Sequence, residues 1–472
     1  MGIFDKLLKK NTAPTAELRA ALHTTAEASP QPQAPQEESF VYGVEDVFHL
    51  KNTDDLVVVG IVKGTVKPGM AVYVSNIADD ENSTLLTTVQ GLEIQGKTVE
   101  TATNCAVALR LQMGSKSNIK IGSVVYTRNM SVNEVHQAYI NAIGNAYVAM
   151  RKLELSEKEI AVMSIADMVE AWRLFSWKQS QTVNADSDAE KEANQSKVEK
   201  LAEALIAKIF DAEEIYVVHN KRTGEPHMFS RTIDRKDGTY MCTPPDILVI
   251  PKAYAHVYAA TYSEGDYELK KIENGENKKG IYNFFGSTFY LNGACGIDVI
   301  GPQTAIDASK LVPPPDYSNT PQINIPVTNP DLVRWMLLMG QMGKPDSSEQ
   351  ETILKLYHNF FLRELNKATL LIPMKKEGEI PTPDENGNTV LKEDLKIQFP
   401  TMKGKHERDA VRMFTDWKRL RMEYDDSWSG MLQPVSGMID VFDCVINATK
   451  YPEAGCYIGK EMYELAVSKN GN

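Results

Sequence analysis

Apolar positions recur along this 472-residue chain with changing period, and each change marks a new kind of element. Ile3, Phe4, Leu7 and Leu8 fall on one helical face with Lys6, Lys9 and Lys10 largely opposite, which predicts an amphipathic helix over 1–11. From Thr12 to Ser39 the periodicity gives way to Ala, Pro, Gln and Glu, ending SPQPQAPQEES, and reads as a disordered linker over 12–39. Between Val41 and Arg128 come short apolar runs at Leu56–Val59, Ala71–Val74, Ala106–Leu111 and Val124–Tyr126. The turn signals Lys67-Pro68-Gly69, Gln95-Gly96 and Lys120-Ile121-Gly122 separate them. Strands this short and evenly spaced close best as a β-barrel, here over 41–128, because closure removes unpaired edges.

The period then changes to that of helices. Ser131/Glu134, Ser156/Glu159 and Ser187/Glu190 each have the spacing at which Ser accepts a helix N-terminal amide and Glu reaches back. Val135, Tyr139, Ile143 and Tyr147, then Ile165, Met168, Val169 and Trp172, follow at helical intervals. A helical hairpin is expected within 131–195, with Thr182–Gln195 as a polar crossing and a third helix through Leu201, Leu205 and Ile209.

The remainder reads as one design used twice. The first copy, over 196–305, runs from a helix ending at Phe210 into the strand Ile215–Val218. It continues through the turn Asp237-Gly238 and Tyr240–Pro244 to a strand at Thr288–Asn292. The second, over 346–472, runs from the helix Ile353–Leu365 into Thr369–Pro373, then Val411–Thr415, and ends at Asp443–Asn447. Phe210 and Leu365 differ by 155 positions, as do Asn292 and Asn447. Between the copies, 306–345 is a Pro-rich linker followed by a helix from Pro330 to Met342. Trp335 and Met339 on that helix are candidate interaction residues, because methionine adapts to varied partners; burial between the two copies is the structural alternative.

Two resemblances accompany these patterns. Glu45-Asp46-Val47-Phe48, Gly60-Ile61-Val62, Val66-Lys67-Pro68-Gly69 and Ile119-Lys120-Ile121-Gly122-Ser123-Val124-Val125 resemble the second domain of translational GTPases such as elongation factor Tu. Nothing supplies the G-x-x-x-x-G-K-[ST] loop that GTP hydrolysis requires. That family's Gly-Arg-Gly before the second strand is replaced by Asn52-Thr53-Asp54-Asp55, more acidic and less suited to tRNA. The resemblance therefore implies a fold without the activity. Phe361-Leu362-Arg363-Glu364-Leu365, Leu371-Ile372-Pro373, Phe414-Thr415 and Val445-Ile446-Asn447 resemble the SseB-like family, named for enhanced serine sensitivity. In the first copy Cys242-Thr243 and Leu291-Asn292 stand in the last two places. This resemblance implies two small α/β domains without established chemistry.

Composition narrows the function. Charged residues make up 24% with a net charge of −12, and there is no basic patch, so direct nucleic-acid binding is not expected. Five scattered cysteines and no long apolar stretch suit a cytoplasmic protein. The eight histidines form no ligand pair, so no metal or cofactor is expected. Cys295, in the loop Asn292–Gly296, has no partner His fixed in sequence for a nucleophilic role, and His219, at a strand end, reads as a structural residue. Thr415 is read as a helix N-cap.

The expected fold class is α+β multi-domain: a translation-factor-type β-barrel, a helical hairpin, then two α/β SseB-like domains. The expected function is that of a non-catalytic cytoplasmic interaction or scaffold protein with a protein partner, associated with the translation machinery. The alternative is a peripheral membrane adaptor whose residues 1–10 touch the membrane surface through Ile3, Phe4, Leu7 and Leu8. An enzyme with an unrecognised site is the third reading. Oligomeric state leaves no signal.

Overall fold

The computed structural model describes residues 39–470 apart from 51–54, 79–83, 113–117, 150–152, 154, 183–186, 238, 263–264, 302–303, 378–395 and 405–407. The expected amphipathic helix, nearly all of the linker, and Asn52-Thr53-Asp54 therefore lie outside the described residues.

Eight strands follow: β1 (Phe40–His49), β2 (Asp55–Val66), β3 (Ala71–Ser75), β4 (Thr84–Ile94), β5 (Lys97–Val99), β6 (Ala102–Thr103), β7 (Ala106–Gln112) and β8 (Val124–Tyr126). Six close into an antiparallel barrel in the order β1-β8-β3-β4-β7-β2 and back to β1. Period-two alternation drives the closure: Leu56, Val58 and Val62 of β2 point inward with Val72, Val74, Leu109 and Leu111. The expected turns form where glycine permits positive φ, at Gly69, Gly96 and Gly122.

Four helices come next: α1 (Val132–Ile143), α2 (Glu157–Val162), α3 (Ile165–Thr182) and α4 (Asp188–Asp211). All three Ser/Glu capping boxes form as their spacing predicts. The Ser187 box starts α4 at Asp188, so the expected crossing over Thr182–Gln195 is cut short and most of it is helix. Once Ser187 and Glu190 satisfy the first amides, the polar stretch behind them propagates as helix.

The rest of the chain builds two sheet units, the first around a six-stranded mixed sheet and the second from a three-stranded and a four-stranded sheet. The first contains β9 (Glu214–Asn220), β10 (Met228–Phe229), β13 (Asp246–Pro251), β14 (Tyr267–Glu273), β15 (Gly296–Val299) and β16 (Ala305–Asp307). Beside it lie the ribbon β11 (Thr232–Asp234) and β12 (Tyr240–Cys242), and helices α5 (Lys252–Tyr262), α6 (Gly280–Tyr290) and α7 (Ala308–Leu311). Helix α8 (Pro330–Met342) then leads to the second unit. That unit holds α9 (Ser348–Leu365), β17 (Thr369–Glu377), β18 (Lys396–Gln398), β19 (Thr401–Lys403), β20 (Asp409–Met413), α10 (Trp417–Arg421), β21 (Ser429–Pro434), β22 (Asp443–Ile446), β23 (Cys456–Ile458) and α11 (Lys460–Asn470).

Strand order and direction coincide between the sheets. The first runs β14-β9-β13-β15-β16, with only β13 and β15 parallel. The second runs β21-β17-β20-β22-β23, with only β20 and β22 parallel and β17 joined to β20 through an antiparallel bridge at Leu371 and Phe414. Tyr216 faces Ile250 as Leu371 faces Phe414, which keeps the offset of 155 at this end.

At the other end the correspondence differs from the sequence reading. Thr288 and Phe289 belong to helix α6, because Ile281, Phe285 and Phe289 recur every four positions and bury one helical face. Strand β15 holds in the first sheet the place that β22 holds in the second, which sets Ile300 where Asn447 stands. Both have positive φ, and their amides donate to Val249 O and Met413 O respectively. Tyr240–Cys242 is likewise not central: it pairs with Thr232–Asp234 in an outlying ribbon, and the buried strand is Ile247–Ile250. Strand β16 and helix α7 continue the first unit into the stretch expected to be linker.

Helix α8 packs between the units. Val333, Leu337 and Leu338 enter the core shared by helices α1, α3 and α4 and the first sheet, while Leu332 and Met336 enter the core of the second. Gly340 lies where α8 meets the 452–454 turn, and an added Cβ would overlap the Glu453 carbonyl oxygen. Gly to Ala inside a helix ordinarily adds about 1 kcal/mol of stability. Here Gly340→Ala should instead lower it by about 1–3 kcal/mol, the cost of overpacking, read as a lowered urea midpoint. Among the described residues no helix is long and apolar enough to cross a membrane.

Candidate functional site

The barrel, the helical segment and α5 enclose a cavity of about 540 Å³. Helical periodicity builds two of its walls. Glu170, Arg173, Leu174 and Trp177 form one stripe of α3, and Ala253, Tyr254, Val257 and Tyr258 one stripe of α5. Helix α1 adds Val135, His136 and Ile140, while Ser75, Thr84 and Tyr126 come from the barrel. The Ser75 hydroxyl lies 2.8 Å from Thr84 Oγ1 and 3.0 Å from the Tyr126 hydroxyl, which ties β3, β4 and β8 together there.

The interior is aromatic and carries one ion pair, Arg173 Nη1 to Glu170 Oε1 at 3.0 Å. Burial raises the Glu170 carboxyl, and Arg173 offsets that only in part. Burial, aided by Arg173, lowers the His136 imidazole. Tyr258 donates to Ile300 O at 2.6 Å, whereas the buried Tyr254 hydroxyl has no hydrogen-bond partner among the described residues. At the mouth Trp177 is 65% and Val132 58% exposed. Such a chamber suits a ligand with a large apolar body and a polar group for Tyr254. Among the described residues it offers no thiol or hydroxyl nucleophile paired with a base.

A second cluster joins the two sheet units. The fully buried Arg419 of α10 donates through Nη1 to Asp416 Oδ2 (2.5 Å) and through Nη2 to Glu225 Oε1 (2.9 Å) and Asn292 Oδ1 (3.0 Å). Burial alone would lower the guanidinium, but Asp416 and Glu225 carry it above its usual range. Burial likewise opposes ionisation of Glu225, yet Arg419 and Lys418 hold its carboxyl below the ordinary range. These partners leave Arg419 serving as a clasp between units.

Residues 356–441 match the SseB protein N-terminal domain. That span runs from within α9 through β17, β20, α10 and β21. No curated protein matches the chain. Within the SseB match Phe361, Leu362 and Leu365 are core residues of the second unit. Phe414-Thr415 meets Asn447 from beyond the match, where Asn447 Oδ1 accepts the Thr415 amide at 3.0 Å. Thr415 is thus not the N-cap of α10. Asp416 is, its side chain accepting the Arg419 amide, while the Thr415 hydroxyl is spent on Asp416 and Asn447.

The remaining candidates are placed as follows. Trp335 stacks on Phe360 at 4.5 Å and lies 5.7 Å from Tyr357, and Met339 packs against both cores, so both side chains have partners within the chain. Ile3, Phe4, Leu7 and Leu8 lie outside the described residues. Burial raises the Cys295 thiol despite Arg334, and its sulfur lies 4.0 Å from Gly293 O. His219 is pushed down to about 4 by burial, with Nδ1 3.2 Å from Val217 O of its own strand. Neither environment activates its residue. Among the described residues no group of three or more His, Cys, Asp or Glu could hold a metal ion.

The cavity stripe escaped the sequence reading because it lies beside the face that buries Ile165, Met168, Val169 and Trp172. Its signal was the amphipathic run Glu170, Arg173, Leu174, Trp177 at helical spacing.

Proposed function

We propose that this chain is a non-catalytic interaction protein whose partner-binding surface is the cavity between barrel, helices and α5. The observation that carries the reading is the mouth: a large indole, Trp177, stands two-thirds exposed over an aromatic interior. Exposed aromatics above a formed pocket are favoured anchors in protein recognition. The two sheet units serve as a frame, and in this reading both are SseB-like, supported by their common strand order and directions. The barrel is taken as a module of the kind found in translational GTPases, supported by its closed antiparallel form, and it directs the protein toward the translation machinery. That last step is an analogy of fold.

Affinity capture from native cytosol with mass spectrometry tests this. The intact protein is compared with Trp177→Asp and with Leu86→Asp, an exposed barrel position outside the cavity. A lost anchor costs about 2 kcal/mol, roughly thirtyfold in affinity. Ribosomal or translation-factor partners should drop out with Trp177→Asp and remain with Leu86→Asp. Identical partner sets in all three samples would remove the cavity from the function.

A further inference from the structure

We infer that the cavity holds an uncharged, flat heterocycle with a lactam edge, an N–H beside a C=O, gripped jointly by Glu170 and Arg173. Purinones and pyrimidinones have this chemistry, as free bases or as nucleosides. The inference goes beyond the partner-binding reading, because it concerns the ion pair inside the cavity and not the mouth.

That ion pair is only partly engaged. Arg173 Nη1 donates to Glu170 Oε1 at 3.0 Å, and among the described residues neither side chain makes another hydrogen bond. A guanidinium carries five N–H donors, and a carboxylate has two accepting oxygens. Oε2 and most of the Arg173 fork are therefore left over, although Glu170 is only 6% exposed. These atoms are not sealed in: both residues line the cavity, and their remaining polar atoms keep access to open space. An accepting oxygen and donating N–H groups on two side chains bonded to each other complement a lactam. Its N–H would go to Glu170 and its C=O to Arg173.

Charge selects a neutral ligand. Glu170 and Arg173 are the acidic and the basic side chain of the described wall, and they balance each other. Of the two histidines, His256 is exposed, and burial lowers the His136 imidazole so that it is neutral at pH 7. A charged ligand would thus give up water without meeting a free counter-charge. Shape agrees with chemistry. Tyr126, His136, Tyr254 and Trp177 border the space with flat rings, on which a planar heterocycle can stack. The volume of about 540 Å³ is that of a small-molecule site.

Isothermal titration calorimetry on the full chain tests the inference with guanosine, inosine, uridine and their free bases. Each nucleoside is set beside its lactam N-methyl derivative. At least one parent compound should bind saturably with a Kd below about 1 mM. Methylation removes the N–H that Glu170 accepts and should weaken that binding roughly tenfold or more. Adenosine, which has no lactam, should bind no better than the methylated compounds, and the nucleoside monophosphate should bind more weakly than its nucleoside. Tighter binding of the nucleoside than of the free base makes the nucleoside the ligand, and the reverse makes it the base. Glu170→Gln should weaken the parent roughly tenfold and leave the methylated compound unchanged, with the urea midpoint confirming a folded variant. The methylation series needs no variant at all.

No binding by any parent up to about 1 mM overturns the inference. So does equal binding of a parent and its methylated form, or tighter binding of the monophosphate. These titrations contain no protein partner, so their failure leaves the Trp177 capture result standing. Loss of the Trp177 dependence, in turn, leaves the ligand site standing.

Discussion

Arg419→Met is expected to lower the stability of the joined sheet units by about 3–5 kcal/mol, the usual cost of removing one partner from a buried ionic cluster. The loss arises mainly from what remains. Asp416 and Glu225 stay buried as carboxylates, and Asn292 Oδ1 loses its 3.0 Å donor. Lys418, at 3.4 Å from Glu225 Oε2, compensates only weakly because it is half exposed and already engaged. Combining Arg419→Met with Glu225→Gln and Asp416→Asn should recover much of the loss, since both charges are removed and Asn still caps α10. Urea denaturation followed by tryptophan fluorescence reads both variants. Equal midpoints for Arg419→Met and the unmodified protein would mean that the clasp contributes nothing net.

His227→Phe should give the second largest effect, and its size depends on pH. His227 is 2% exposed, wedged edge-on between Phe229 at 4.6 Å and Tyr267 at 4.9 Å, and neither ring nitrogen has a hydrogen-bond partner among the described residues. Burial pushes its imidazole from 6.5 down to about 3. The unfolded chain therefore binds a proton at this residue below about pH 6.5, while the folded chain stays neutral until about pH 3. His227 thus favours the folded state fully above pH 6.5 and withdraws that support as the pH falls toward 3. Between pH 7.5 and 5 the withdrawal amounts to about 2 kcal/mol, at 1.36 kcal/mol per unit.

Phenylalanine keeps the aromatic box and cannot titrate. The variant should gain about 1 kcal/mol at pH 7.5, from loss of the unpartnered nitrogens, and about 3 kcal/mol at pH 5. The difference between the two proteins isolates this residue from Asp298 and Asp246. Burial raises those carboxyls to about 7 and about 6, which acts in the opposite direction on acidification. A stability difference that stays constant from pH 7.5 to 5 would show that His227 is hydrated.

Local rules account for what was legible beforehand. Each Ser/Glu box needs only four consecutive residues, so all three helix starts followed from spacing. The barrel was legible for a related reason: alternation along each strand and a glycine at each tight turn are local requirements of closure. The sequence reading places a strand at Thr288–Asn292 because its offset of 155 from Asp443–Asn447 coincides with that of the preceding helices, whereas Thr288–Tyr290 end a helix. The four-residue recurrence of Ile281, Phe285 and Phe289 already indicated a helix.

By itself, then, the sequence determined kinds of element and their order: strands closing as a barrel, then capped helices, then mixed helices and strands. Only the tertiary structure decided the sites. Glu225 and Arg419 are 194 positions apart, and both are polar residues that any surface would accept. Their value as a clasp exists only once α10 is pressed against the turn after β9. The cavity is likewise shared among β3, α1, α3 and α5, each amphipathic for its own reasons. Burial and partnership are properties of neighbours, and neighbours distant in the chain are set by packing that no local pattern encodes.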